Sequence, residues 1–308
     1  MIGGRPVPLL LAVGLDLVWG EPPDRWHPVA WIGRALAWAE GRSGERTVAG
    51  GAAALLTIAA AVGAVAAVAG AGLRRAGWLG MILEAVALKP AFAARRLATA
   101  AAAVGDSLAA GCLDTARRRV GRDLVSRQTL GLDAAEVTSA AVESVAENLG
   151  DSVAAPLLAY AVGGLPAAWV YRTLNTADAM WGYRDARFER WGKAAARLDD
   201  VANLVPARLA AAALVAGAAA AGEDGPGAAR IAWRDHARAA SPNAGWPMAA
   251  MAGALGVGLA KPGAYRLGDG PRPASSDTIP RALAVFAVAS AAVVGVALAV
   301  TLVAGRRP

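Results

Sequence analysis

Sulfur and imidazole are nearly missing from this chain. The single cysteine, Cys112, excludes an intramolecular disulfide and any cysteine-rich metal centre. Two histidines, His27 and His236, lie far apart and form no H-E-x-x-H pattern, which argues against a zinc enzyme. Charge is scarce as well: 18% of residues are charged, where a soluble domain carries about 25%. No G-x-x-x-x-G-K-[ST] run occurs, so any nucleotide is bound outside a P-loop. Strand-like alternation is missing, and so is an internal repeat. Basic residues outnumber acids, 31 to 24. They are spread over several loops rather than gathered in one stripe, which speaks against a nucleic-acid partner.

What the chain does have is apolar length. It is 56% hydrophobic with a mean hydropathy of +0.41, the composition of a membrane-embedded protein. Residues 48–73 hold no charge over a length that spans a bilayer, and Arg74-Arg75 closes them. Residues 282–304 form a second such run, closed by Arg306-Arg307. Residues 7–19 are apolar but short and contain Asp16. A signal peptide is one reading; an uncleaved membrane segment or half-buried helix fits the missing A-x-A site better. Asp16 in such a segment is either functional or a cap. Trp19, Trp26, Trp31 and Trp38 read as an interfacial belt. Residues 78–111 read as an amphipathic helical pair broken at Pro90. Residues 153–171 are apolar but interrupted by Pro156, Gly163, Gly164 and Pro166, which suits a re-entrant or tilted segment. Residues 261–280 read as a Pro/Gly-rich loop. The expectation is an all-α polytopic membrane bundle with amphipathic and re-entrant helices, one domain over 1–308.

The chemistry concentrates between Leu132 and Pro156. Asp133 and Glu136 read as an N-cap with its N3 acid. Glu143, Glu147 and Asp151 then fall at i, i+4 and i+8. They share one face if the helix runs on through Gly150, with Asn148 beside them. No lysine at i+4 neutralises them. Either the face is solvated or it holds a cation or a phosphate–metal pair. Further on, Asn175 and Asp178 share a face at i and i+3. Asp199-Asp200 precede Asn203 by a turn, with Arg197 and Arg208 flanking, and Asn243 sits in S-P-N-A-G. Six acids of this kind suit Mg²⁺ with substrate phosphates better than a transition metal. The run 114–128, with Arg117 to Arg119, Arg122 and Arg127, is either a phosphate grip or a basic cytoplasmic loop.

Taken together, these stretches resemble the adenosylcobinamide-phosphate synthases of cobalamin biosynthesis, the CobD/CbiB family. The resemblance rests on D-x-x-x-G-E-P from Asp16, HPV from His27 and IGR from Ile32. It continues through GRD (121–123), AVESVAEN-x-x-D, NT-x-D-x-M-x-GY (175–183), AAARLDDVANLVPARL and SPNAGWPMAAMAGALGV. It covers nearly the whole chain in order. GRDLVSRQ stands where GRDT is expected, Arg184 where lysine commonly follows GY, and the stretch 84–96 stands apart from the pattern.

The resemblance implies an inner-membrane enzyme with its active site facing the cytoplasm. It would join adenosylcobyric acid to (R)-1-aminopropan-2-ol O-phosphate, or to the free aminoalcohol, with ATP and Mg²⁺. Its partners would be those substrates, membrane lipid and other corrinoid-pathway enzymes. Residue chemistry at the matching positions then suggests roles. Glu143, Glu147 and Asp151 would hold Mg²⁺. Asp199 and Asp200 would hold a second ion or deprotonate the amine. Arg122, Arg184 and Arg197 would steady phosphates. Asn148, Asn175, Asn203 and Asn243 would bind the corrinoid's amides, with Asp178 also among the substrate- or phosphate-binding residues. Without the resemblance, acids in broken membrane helices equally fit a transporter of a cation or small solute. A scaffold for other corrinoid enzymes is the third reading.

Overall fold

The computed structural model describes residues 4–183, 185–273 and 277–304. In chain order the helices are α1 (Pro6–Trp19), α2 (Pro28–Arg42), α3 (Val48–Leu73), α4 (Gly77–Leu88), α5 (Ala94–Ala109), α6 (Leu113–Asp123) and α7 (Ala134–Asn148). A π-helical segment, Leu149–Ala154, leads into α8 (Ala155–Trp181). Then come α9 (Lys193–Ala202), α10 (Leu204–Ala220), α11 (Gly225–Asp235), α12 (Gly245–Leu255) and α13 (Thr278–Ala304). The architecture is all-α, as expected. Among the described residues the one addition is a small antiparallel hairpin, β1 (Leu259–Lys261) with β2 (Tyr265–Leu267), which runs into the start of the stretch read as loop.

Three helical stretches, 48–109, 134–181 and 278–304, are long and apolar enough to cross a membrane. A fourth is gained if α9 and α10 count as one broken span. The uncharged run 48–73 is helical over its full length, and Thr47 caps it through Gly50 N. The break expected at Pro90 is present: α4 ends at Leu88 and a 3₁₀ turn, Lys89–Ala91, follows.

Where one domain is expected over 1–308, the chain divides into two compact units, each assembled from separated stretches. The first gathers residues up to Ala93, then Ala155–Asn203, then Val296 onward. It holds α1 to α4, α8 and α9. The second gathers Ala94–Ala154 and Leu204–Gly295. It holds α5 to α7, α10 to α12, the hairpin and most of α13.

In the first unit the interruption predicted for 153–171 sits at Gly164, whose φ of 71° and ψ of −159° are non-helical. Pro166 follows and has no N–H to give the carbonyl of Val162. Arg5 supplies the missing donor: its Nη1 reaches Ala161 O at 3.0 Å and Val162 O at 2.7 Å. A break inside an apolar helix thus keeps its carbonyls satisfied, as a membrane interior requires.

The same unit contains a buried charge cluster. Lys89 Nζ lies 2.9 Å from Asp16 Oδ1 and also contacts Glu21. Glu21 accepts a second bond from His27 Nε2 at 2.8 Å. The Nδ1 of His27 accepts from Val29 N and caps α2, which leaves the ring proton on Nε2. Burial alone would raise the Glu21 carboxyl, but the hydrogen bonds from His27 and Lys89 outweigh it and hold it below its ordinary value.

In the second unit Asp235 is buried and grips three partners. Arg234 binds it bidentately, Arg238 lies at 3.2 Å and Gly268 N donates at 2.8 Å. These bonds fasten the segment after the hairpin to α11. Arg234 is the first cause of the lowered Asp235 pKa.

Candidate functional site

The residues singled out by pattern fall into two sets, one in each unit.

In the second unit, the Asp133/Glu136 capping box forms in full and starts α7. The helix does not stop at Gly150. It widens into the π segment that carries Asp151, a departure from α geometry that often marks functional positions. Asn148 braces the widened turn. Its Nδ2 donates to Ser144 O at 3.0 Å, and its Oδ1 accepts from Ser152 Oγ at 2.9 Å. Side chains that bond to their own helix in this way compete with regular α geometry, which explains the local unwinding.

Glu143 is 5% exposed. Each of its oxygens receives a hydroxyl: Ser139 Oγ at 2.6 Å and Tyr265 OH at 2.6 Å. Ser139 in turn accepts from Ala260 N at 2.8 Å. The hairpin exists in this place because α7 gives it these two anchors. Burial, then the charge of Glu143, push the Tyr265 phenol up, so it stays a proton donor.

Glu147 and Asp151 are half-buried. Among the described residues, no three His, Cys, Asp or Glu side chains stand together to hold a metal ion. Mg²⁺ commonly uses one or two carboxylates and takes its other oxygens from water and phosphate, and the donors here fit only that mode.

Asn243 is buried, and its Oδ1 accepts from Arg208 Nη1 at 2.6 Å. Arg208 also lies over Trp246, on which His236 stacks. Arg122 is exposed and bound to its neighbour Asp123. Arg127, half-buried, has a buried Nε without a partner.

In the first unit the second set forms one hydrogen-bonded chain. Arg172 Nη1 donates to Asn175 Oδ1 at 3.0 Å, and Asn175 Nδ2 donates to Asp199 Oδ1 at 3.3 Å. On the other side Tyr171 OH donates to Asn203 Oδ1 at 3.0 Å, and Asn203 Nδ2 donates to Asp199 Oδ2 at 2.9 Å. Asp199, 8% exposed, is thus held at both oxygens by amides whose own orientations are fixed. The i, i+4 spacing of Asp199 and Asn203 is what permits their bond. Asp178 lies close enough to Asp199 and Asp200 for their charges to be felt. Gly182 is required beside it, because a Cβ there would meet Asp178 Oδ1 at 2.2 Å. Asp200 is half-buried and Arg197 exposed. Arg184 lies outside the described residues. Arg172, three residues before the motif that begins at Asn175, was not singled out in the sequence. Nor were Ser139 and Tyr265, whose contacts with Ala260 and Glu143 span 121 and 122 residues.

One test of this geometry is Tyr265→Phe. It leaves a buried Glu143 oxygen short of a donor and should lower stability by about 1–3 kcal/mol. Ser139→Ala should do the same, and the double variant should be non-additive because both serve one carboxylate. Thermal unfolding in detergent measures this. Full additivity would sink the shared-carboxylate account.

Comparison with known proteins adds the family. The family model described as CobD/Cbib protein matches residues 9–303. A probable cobalamin biosynthesis protein CobD of Methanothermobacter thermautotrophicus is 43% identical over 265 residues, 85% of this chain and 86% of the relative. The cobalamin biosynthesis protein CobD of Dehalococcoides mccartyi is 39% identical, covering 88% and 89%. That of Klebsiella pneumoniae is 38% identical, covering 90% and 91%. No solved structure matches.

Proposed function

The chain belongs to the CobD/CbiB family of cobalamin biosynthesis proteins, and from that premise we propose that it is a membrane amide ligase. It joins adenosylcobyric acid to (R)-1-aminopropan-2-ol O-phosphate, or to aminopropanol, at the expense of ATP. The observation that carries this reading is the family match over 9–303, which runs through both polar sets.

An amide cannot form from a carboxylate and an amine until an oxygen of the acid becomes a leaving group. A propionate oxygen of the corrinoid attacks the γ-phosphoryl of ATP and ADP departs. The amine then attacks the acyl carbon and inorganic phosphate departs. The protein's part is alignment, water exclusion and placement of charge. Asp199, locked by Asn175 and Asn203, orients the site. Asp200, half-buried beside it, takes the proton that the ammonium must lose before it attacks. In the second unit Glu147 and Asp151 are the carboxylates suited to Mg²⁺, with Glu143 held back by its two hydroxyls. Magnesium bound with the nucleotide would neutralise phosphate charge.

The test uses detergent-purified protein with adenosylcobyric acid, either amine, ATP and Mg²⁺, and follows the amide by mass together with ADP. ADP and amide should appear in equal amounts with no membrane gradient present. Absence of amide with both amines would overturn the ligase reading and return the transporter to first place.

ATP as co-substrate further implies that the loop at Ser241 faces the cytoplasm, in the cell (inner) membrane. Ser241→Cys should then be unreactive to an impermeant maleimide in intact cells and reactive after lysis. Labelling from outside would reverse the orientation.

A further inference from the structure

Arginines in this protein hold carboxylates by one edge of the guanidinium. Arg122, Arg234 and Arg281 each place Nε and Nη2 against the two oxygens of an acid. In Arg172 that same edge is unused. Its Nη1 is committed to Asn175, while its Nε is buried without a partner. Among the described residues its only side-chain hydrogen bond is the one to Asn175, and no ion pair neutralises it. Arg172 is half-buried, and a buried N–H left without an acceptor is costly, so the Nε calls for a partner. The planar Nε/Nη2 fork is also the arrangement that matches phosphate or carboxylate bidentately.

The surroundings narrow the ligand. Asp178, Asp199 and Asp200 sit in mutual electrostatic range, and the charge of Arg172 is felt at Asp199. One unsatisfied cationic edge beside three acids is complementary to a small zwitterion, with an anionic group at one end and an ammonium at the other.

We propose that this site in the first unit takes the aminoalcohol phosphate. Its phosphate oxygens lie on the Nε/Nη2 edge of Arg172, and its ammonium faces Asp178 and Asp200. The assignment rests on the ligase reading for the identity of the amine. Arg172 is then the residue that distinguishes the phosphorylated amine from the free aminoalcohol. It touches the substrate remote from the bond that forms, so it acts on KM more than on kcat.

The experiment has a binding arm and a turnover arm, on full-length protein in detergent. Calorimetric binding of (R)-1-aminopropan-2-ol O-phosphate and of aminopropanol, without ATP or corrinoid, is compared for wild type, Arg172→Met and Arg172→Lys. Arg172→Met is expected to weaken binding of the phosphorylated amine roughly ten- to a hundredfold. It should leave the free aminoalcohol within about threefold, there being no anion for the arginine to grip. Arg172→Lys keeps the charge but not the fork and should fall between. It decides the matter if the methionine variant does not fold. In turnover, KM for the phosphorylated amine should rise by a similar factor while kcat stays within a few-fold.

Equal weakening for both amines, or unchanged binding of the phosphorylated one, would overturn the assignment. So would a rise confined to KM for ATP, which would move the edge to the nucleotide, or to KM for adenosylcobyric acid, which would move it to that carboxylate. Arg172-dependent binding without any amide product would keep the site and remove the ligase. Amide formation with Arg172-independent binding would do the reverse.

Discussion

Replacing Lys89 with methionine is expected to destabilise the protein by about 3–5 kcal/mol, the cost typical of removing one partner from a buried ionic group. Lys89 is 5% exposed and Asp16 1%. Without the ammonium, Asp16 in α1 and Glu21 in the loop after it would lose the cation they share. The acid limit should move too. Glu21 has a folded pKa below its ordinary 4.5. Its stabilisation is therefore present in full above that value and is lost as pH falls through the lower folded one. In Lys89→Met, burial dominates and the carboxyl rises, so unfolding by acid should begin at a higher pH than in wild type. Adding Asp16→Asn should recover part of the loss, because one uncompensated charge disappears. Thermal unfolding in detergent across pH 4 to 8 measures all three variants. A methionine variant within about 1 kcal/mol of wild type, with the same acid limit, would show that the cluster does not hold α1 in place.

That cluster also shows what the sequence could and could not reveal. Residues 48–73 were legible as a helix because an unbroken uncharged run needs no partner to be recognised. The Asp133/Glu136 box and the Asp199–Asn203 pair were legible because their partners lie three and four residues away, the reach of a helix turn. Lys89 was not. Its carboxylates come 68 or more positions earlier, and in the sequence it sits in the stretch 84–96 that stands apart from the family pattern. Tyr265 and the hairpin contact of Ser139 were hidden for the same reason: Tyr265 meets Glu143 from 122 residues away, and Ser139 meets Ala260 N from 121. The hairpin was missed because each strand is three residues long and is held by α7 rather than by its own pattern. The face shared by Glu143, Glu147 and Asp151 was drawn on regular α geometry, and the chain adopts a π segment there. The division of the two acidic motifs between two compact units is likewise a property of packing that no local period encodes.

The other large effect is expected at the paired aspartates, for which the ligase reading proposes different roles. Asp200 is half-buried beside Asp199 and is, on that reading, the base that accepts a proton from the ammonium. Asp200→Asn keeps the shape and removes the base. General bases contribute roughly 10²- to 10⁴-fold, so kcat for amide formation should fall by that amount while the unfolding temperature stays near wild type. Asp199 is different, because both of its oxygens already receive amide N–H groups. In Asp199→Asn one new NH₂ must face the NH₂ of Asn175 or of Asn203. Asn175 cannot turn to relieve this without facing Arg172, and Asn203 can turn only if Tyr171 reverses its hydroxyl. The expected cost is about 1–3 kcal/mol of stability, together with lost turnover, since Asp199 positions the site. Stability and ATP-dependent amide formation are to be measured on the same preparations, with saturating aminopropanol O-phosphate. An Asp200→Asn protein that turns over normally would move the base elsewhere. An Asp199→Asn protein as stable as wild type would mean that the amide pair does not hold the carboxylate in solution.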